Sequence, residues 1–283
     1  MDHNARVPKA EVGDIGIDYE ERGSGKPLLL ITGIPSVGDD WAPLAEPLSE
    51  SRRVITFDNR GCGGSTVTPG PYSMQQMAAD AAGLLDHLEI DRADVFGISM
   101  GGMIAQELAL GRPERVDRLA LGCTHAGIRH SVRAPEETLE AFRMETDDWS
   151  ERVRALSKVS FAGGIDPRAH DLFVEKKSGD VQNLEGYGAQ FAAVLSHDTY
   201  DRLPDLRMPV LVLTGDDDRI IPAGSSRPLL DRIPDARLHV IQNAGHLFFI
   251  EQLAETRRAL EAFFDDEPFE ANENLPTPAE QAK

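Results

Sequence analysis

The chain has 283 residues, enough for one large domain or two small ones, and is 41% apolar and 27% charged, so it can bury a sizeable core and is not disordered by composition. Lys and Arg number 29 against 48 Asp and Glu, a formal charge of −19, and such a body lacks the basic face that nucleic acid or an anionic membrane requires. Two cysteines, Cys62 and Cys123, with no CxxC or Cys/His cluster, indicate no metal centre and a reduced, cytoplasmic setting. The opening residues hold no apolar core for a signal peptide, and no apolar run approaches the roughly 20 residues of a membrane helix, so the expectation is a soluble protein.

Residues 11–22 alternate in polarity and run into Gly23-Ser24-Gly25, which predicts a hairpin and antiparallel first strands. Short continuous apolar runs follow at 28–32, 54–57, 93–98, 118–121, 210–214 and 238–242, each ending near Gly, Asp or Asn. Runs apolar on both faces mark strands covered on both sides, as in a parallel sheet. Helix-period segments at 74–88, 103–110 and 253–264 lie between or after them. The alternation predicts an α/β fold with a mostly parallel, doubly wound sheet.

That alternation stops after Cys123. Residues 126–207 are charged and helix-prone, carry scattered aromatics and lack buried-strand runs, so they are expected to form an inserted helical cap over the carboxyl edge of the sheet. The core then comprises 1–125 and 208–264. Residues 265–283 contain six acids and one base and read as a disordered tail. A second copy of the chain as partner is left open.

Gly97-Ile98-Ser99-Met100-Gly101-Gly102 follows one predicted strand and precedes a helix. A serine on such a sharp turn is lifted clear of the sheet, and the amide of the next residue, Met100, points into the same space with the helix dipole behind it. Serine needs a base that an acid orients, and the chain supplies both later. The strand at 210–214 runs into Gly215-Asp216-Asp217-Asp218, and the strand at 238–242 into Asn243-Ala244-Gly245-His246. Asp218 is the preferred acid and Asp216 the fallback, since adjacent aspartates also serve as turn formers. A second oxyanion donor is expected after the first parallel strand, in Thr32-Gly33-Ile34-Pro35; Pro35 has no N–H, which leaves the Ile34 amide.

With these motifs, the 58–65 turn and the GDDDRIIP stretch in place, the chain resembles the α/β-hydrolase superfamily over about residues 11–125 and 208–264. The nearest likeness is to the cap-bearing branch with 3-oxoadipate enol-lactonases, anthracycline methylesterases, haloperoxidase-like esterases and carbon–carbon bond hydrolases. The resemblance implies Ser99 as nucleophile, His246 as base, Asp218 as acid, and the amides of Ile34 and Met100 as oxyanion hole. It also implies a structural role for Asp58 and Arg60. Where the family usually has His-Gly this chain has Thr32-Gly33, so different hydrogen bonding is expected behind the oxyanion loop.

His125 at a strand end, Phe142 and Trp149 in the cap, and Leu247 beside His246 are the candidates for contact with substrate. Asp39-Asp40 before Trp41 reads as a helix N-cap. The expected activity is hydrolysis of a carboxylic ester or lactone of a small to medium, mainly apolar molecule, without metal or organic cofactor. The alternatives are a carbon–carbon bond hydrolase, which should present Arg129, Arg133 or Arg143 to a substrate carboxylate, and a non-hydrolytic binding or cyclase-like scaffold.

Overall fold

The computed structural model describes residues 8–163, 167–179 and 183–276. Its centre is an eight-stranded sheet in the order β1-β2-β4-β3-β5-β6-β7-β8, made of β1 (Lys9–Val12), β2 (Ile15–Arg22), β3 (Lys26–Ile31), β4 (Arg52–Phe57), β5 (Ala93–Ile98), β6 (Val116–Gly122), β7 (Val210–Gly215) and β8 (Ala236–Ile241). From β4 to β8 every pairing is parallel, while β1–β2 and β2–β4 are antiparallel. The antiparallel start is as expected, but its turn lies elsewhere. The hairpin closes at Gly13-Asp14, where Gly13 takes φ +58°, and Gly23–Gly25 instead carries the chain past β4's position to β3.

Each parallel strand sends alternate side chains to two separate cores, which is why its sequence is apolar throughout. Leu29, Ile31, Val95, Leu121 and Val212 face one core with α2 (Met74–His87), α3 (Met100–Gly111) and α8 (Arg227–Arg232). Leu28, Leu30, Phe96, Leu211 and Leu213 face the other, with α1 (Ala42–Leu48), α9 (Phe248–Glu251) and α10 (Leu253–Phe264). A fully buried leucine of this kind contributes roughly 1.5–3 kcal/mol.

After β3 the chain winds to β4 on one side and then returns to β5 on the other. That reversal opens a crevice beyond the carboxyl ends of β3 and β5, the usual place for a ligand in an open α/β sheet. Between β6 and β7 lie α4 (Glu136–Arg143), α5 (Trp149–Ser160), α6 (Pro167–Gly179) and α7 (Leu184–Ser196). This helical excursion has only a small apolar centre of its own, in which Ala141, Leu156 and Val159 meet Phe142 and Ile220.

The start of the expected disordered tail is placed against the sheet. Asp265 and Asp266 pair with Arg52 and Arg118, and Phe269 sets its ring edge-on to His239 at 5.6 Å. Asn272 accepts from Val240 N at 2.7 Å, and donates from its side chain to Val240 O at 3.0 Å and from its amide to His239 Nδ1 at 2.9 Å. Acidic composition did not reveal this, because the partners that hold the segment, Arg52, Arg118, His239 and Val240, are distant in sequence. Residues 277–283 lie outside the described residues. Among the described residues no helix is long and apolar enough to cross a membrane.

Candidate active site

Ser99 stands between β5 and α3 with φ 53° and ψ −121°, a left-handed conformation costing a non-glycine residue about 1–3 kcal/mol. Neighbouring contacts hold it there. Its amide donates to Gly122 O at 2.9 Å, and its carbonyl accepts from Thr124 Oγ1 at 2.8 Å. The flanking glycines allow strand and helix to meet: a Cβ on Gly97 would lie 2.2 Å from Gly101 O, and one on Gly101 would lie 2.1 Å from Ile31 O. Gly101→Ala is therefore expected to destabilise the fold by more than about 3 kcal/mol, because it collides with backbone that cannot rotate away. Calorimetry should show a large drop in Tm against Gly111→Ala, whose added Cβ meets nothing within 4 Å.

Met100 is the first residue of α3 and fully buried, so its amide lies at the positive end of the helix dipole. From β3, Gly33 packs directly on the serine: a Cβ there would approach Ser99 Cβ to 2.9 Å and Oγ to 3.4 Å. The Ile34–Pro35 peptide that follows is cis. Thr32 is held by Asn59 Nδ2, which donates to its carbonyl at 3.1 Å and its hydroxyl at 3.2 Å. The turn that carries Asn59 thus supplies the support behind this loop. Asp58 accepts from the Gly38 and Gly64 amides, and Arg60 grips Asp80 with two nitrogens, so both serve the fold.

The three neighbouring aspartates separate cleanly. Asp216 accepts from Ala244 N at 3.1 Å and Asp217 from Gly163 N at 2.8 Å, whereas Asp218 Oδ2 lies 2.8 Å from His246 Nδ1. The other oxygen of Asp218 accepts from the amides of Ile220 and Ile221 at 2.8 and 2.9 Å. Burial works to lower the pKa of His246, but the Asp218 carboxylate outweighs burial and holds the imidazole well above its usual value. An imidazole tied at Nδ1 to a carboxylate offers Nε2 for proton transfer.

Cys123 is the residue here that sequence reasoning missed. It follows β6 with φ 39°, is buried, and brings its sulfur within 4.8 Å of the ligating atoms of Asp218 and His246. Burial raises its thiol pKa, so it stands as a neutral group. These three side chains are also a metal-sized donor set among the described residues, but an ion there would have to replace the Asp218–His246 hydrogen bond. Glu251 was missed as well. Its carboxylate accepts from Ala162 N and Gly245 N, both at 2.8 Å, tying the end of α5 to the turn that carries His246. No local pattern marks either residue; only the convergence of distant strand ends and helices does.

Ser99, His246, Ile34, Phe142 and Ile220 border two cavities. The larger, about 280 Å³, is mostly apolar, with Met103, Leu139, Phe191 and Val194 on its walls and His125 among them. The smaller, about 60 Å³, is bounded by Gly33, Pro35, Phe173, Leu247 and Lys177, whose ammonium lies 2.7 Å from Asp40. Asp39 and Asp40 are not the N-cap expected of them: they lie inside the short turn Gly38–Trp41, which Val37 caps, and Asp40 Oδ2 reaches back to accept from the Val37 amide. Of the substrate-contact candidates, His125, Phe142 and Leu247 reach a cavity wall. Trp149 does not. Its indole N–H donates to Lys177 O at 3.0 Å and its ring meets Tyr187 edge-on, so it braces α5, α6 and α7 against one another.

Comparison with known proteins adds to this geometry. The profile of a family described as alpha/beta hydrolase fold matches residues 26–253. A poly(3-hydroxyalkanoate) depolymerase of Ectopseudomonas oleovorans is 35% identical over 230 residues, 79% of each chain. A 2-hydroxymuconate semialdehyde hydrolase of Pseudomonas sp. strain CF600 is 32% identical, over 85% of this chain and 87% of that one. Among solved structures, the enol-lactonase from Burkholderia xenovorans LB400 superposes with a TM-score of 0.79 at 27% identity, covering 91% of this chain and 100% of its own.

Proposed function

The chain belongs to the alpha/beta hydrolase fold family, and from that premise we propose that it is a serine hydrolase of carboxylic esters or lactones. The observation that carries this reading is the junction of two cavities at Ser99 and His246, with Asp218 2.8 Å behind the imidazole. In this mechanism His246 accepts the proton of Ser99 as the oxygen attacks the carbonyl, and Asp218 keeps the imidazole in the required tautomer. The amides of Ile34 and Met100 receive the developing oxyanion, and loss of one such donor typically costs about 3 kcal/mol. His246 then gives its proton to the leaving oxygen. Water, deprotonated by the same imidazole, releases the acid from Ser99. The helical excursion acts as a cap that shapes the substrate and excludes bulk water. The apolar walls of the larger cavity favour a small to medium, mainly apolar substrate.

The named activities of the relatives span ester-type and carbon–carbon bond cleavage. We favour the ester because a ring-fission substrate carries a carboxylate. Of the arginines that could meet one, Arg129 and Arg143 border neither cavity, and Arg133, exposed at the rim of the larger one, is paired with Glu136. At the smaller cavity, Lys177 is engaged by Asp40. Intact mass after exposure to a fluorophosphonate tests the reading. One phosphonyl adduct on the Ser99 peptide, formed much more slowly in His246→Ala, is the expected result. An unlabelled wild type would leave a non-hydrolytic binding protein as the better account. A panel of simple esters set against a ring-fission dienone then separates the two kinds of hydrolase.

A further inference from the structure

The larger cavity contains a polar group that hydrolysis at Ser99 does not use. His125 lies three residues beyond β6, is 5% exposed, and forms part of the cavity wall. One hydrogen bond reaches its ring, and others fix the backbone that carries it. Nδ1 accepts from Gly127 N at 3.1 Å, and its carbonyl accepts from Gln106 Nε2 at 3.2 Å. Gln106 in turn accepts from Thr199 Oγ1 at 2.6 Å, and the Thr199 amide donates to Ala126 O at 2.8 Å. The ring of His197 stands 6.3 Å away. Helix α3 and the chain after α7 therefore cooperate to hold one imidazole at the wall of an apolar chamber.

The protonation state of that imidazole follows from its surroundings. An Nδ1 that accepts a hydrogen bond places the ring proton on Nε2. Burial lowers the His125 pKa to about 4, with Asp198 pulling weakly the other way, so the ring is neutral at any pH where His246 could act as base. Other polar side chains on the wall are engaged locally. Thr138 donates to Arg219 O, Ser131 donates to Ile128 O, and Arg133 pairs with Glu136 at the exposed rim. Among the described residues on this wall no lysine or arginine is buried.

We propose that His125 selects substrate by donating a hydrogen bond from Nε2 to a neutral acceptor oxygen on the substrate's apolar portion, away from the scissile carbonyl. The substrate class is then an uncharged ester or lactone with a second oxygen function, such as a ketone, ether, hydroxyl or further ester. This rests on the serine-hydrolase reading and narrows it. An all-hydrocarbon chain would leave the N–H buried without a partner, and a carboxylate would meet only Arg133 at the exposed rim, already paired with Glu136.

The test uses medium-chain p-nitrophenyl esters with a ketone at successive positions, the plain methylene ester of the same length, and the matching carboxylate. In the wild type, kcat/KM for the best-placed ketone should exceed that of the plain ester about ten-fold, mostly through KM, with the carboxylate poorest. His125→Phe should bring the ketone-to-methylene ratio close to one, and His125→Gln, which retains an N–H donor, should restore part of it. The ratio should stay flat between mildly acidic and mildly alkaline pH, because His125 is neutral throughout. Fluorophosphonate labelling of each variant reports whether it has folded with its serine accessible. Dissociation constants of the same chains as non-hydrolysable amides, measured on Ser99→Ala, give the ratio without turnover. A wild-type ratio near one, or a ratio that survives His125→Phe, overturns the proposal. Binding selectivity in the absence of any ester turnover would instead overturn the serine-hydrolase reading and leave the role of His125 standing.

Discussion

Ser99→Ala is expected to lower kcat on an ester by about a million-fold, the scale seen when the nucleophile of a serine hydrolase is removed. The proposed oxyanion amides and the cavities would remain, so the residual rate should still exceed that of water by about a thousand-fold. The measurement is kcat on a p-nitrophenyl ester, with fluorophosphonate labelling to exclude traces of wild type. A variant that retained more than about one part in a hundred of the activity would remove Ser99 from the chemistry. Alanine inherits the left-handed φ of 53°, so it should gain little stability. Ser99→Gly has no Cβ to strain and should be more stable by about 1 kcal/mol while equally inactive. The two variants together separate the strain of the turn from the chemistry that it serves.

Asp218→Asn is expected to lower kcat about 10,000-fold with little change in fold. The carboxylate accepts from the amides of Ile220 and Ile221 and from His246, and an amide nitrogen in its place can satisfy only part of that set. It also favours the imidazole tautomer with its proton on the wrong nitrogen. The pH profile supplies a second signature. A general base works when neutral, so activity falls as pH drops through the pKa of His246. Since Asp218 holds that pKa well above the usual histidine value, the wild-type acid limb of kcat/KM should have a midpoint above 6.5, and in Asp218→Asn it should move down. Asp216→Asn is the control: that side chain accepts from the Ala244 amide, so it should alter stability more than the limb. A limb that stayed in place in Asp218→Asn would assign the titration to another group.

Local sequence carried most of the framework. Strand β5 and helix α10 run over the residues that apolar runs and helical periodicity indicated, since both signals arise from neighbours within one element. Helix α3 begins three residues earlier than periodicity implied. Gly101 and Gly102 obscured its first turn, although tight packing against β3 and Thr124 requires them there. Contacts between distant segments were not legible. The choice among Asp216, Asp217 and Asp218 depends on where His246 arrives from another strand. Trp149 has the composition of a pocket residue but faces Tyr187 and the end of α6, a direction that helix packing decides. Cys123 enters a sequence reading only as a redox indicator, and its place beside His246 depends on the chain that follows β8 returning over the end of β6.

The docking of residues 265–276 bears on the company the molecule can keep. Strand β8 is the last in the sheet, and a bare last strand is a template on which another chain can add its own. Asn272 occupies both main-chain groups of Val240, near the carboxyl end of that margin, and Phe269 shields His239 next to it. A chain trimmed at Phe264, where α10 ends and compactness would invite a cut, would uncover that margin. The acidic extension thus helps keep neighbouring molecules from joining their sheets into a continuous one, and its negative charge opposes the same encounter at longer range.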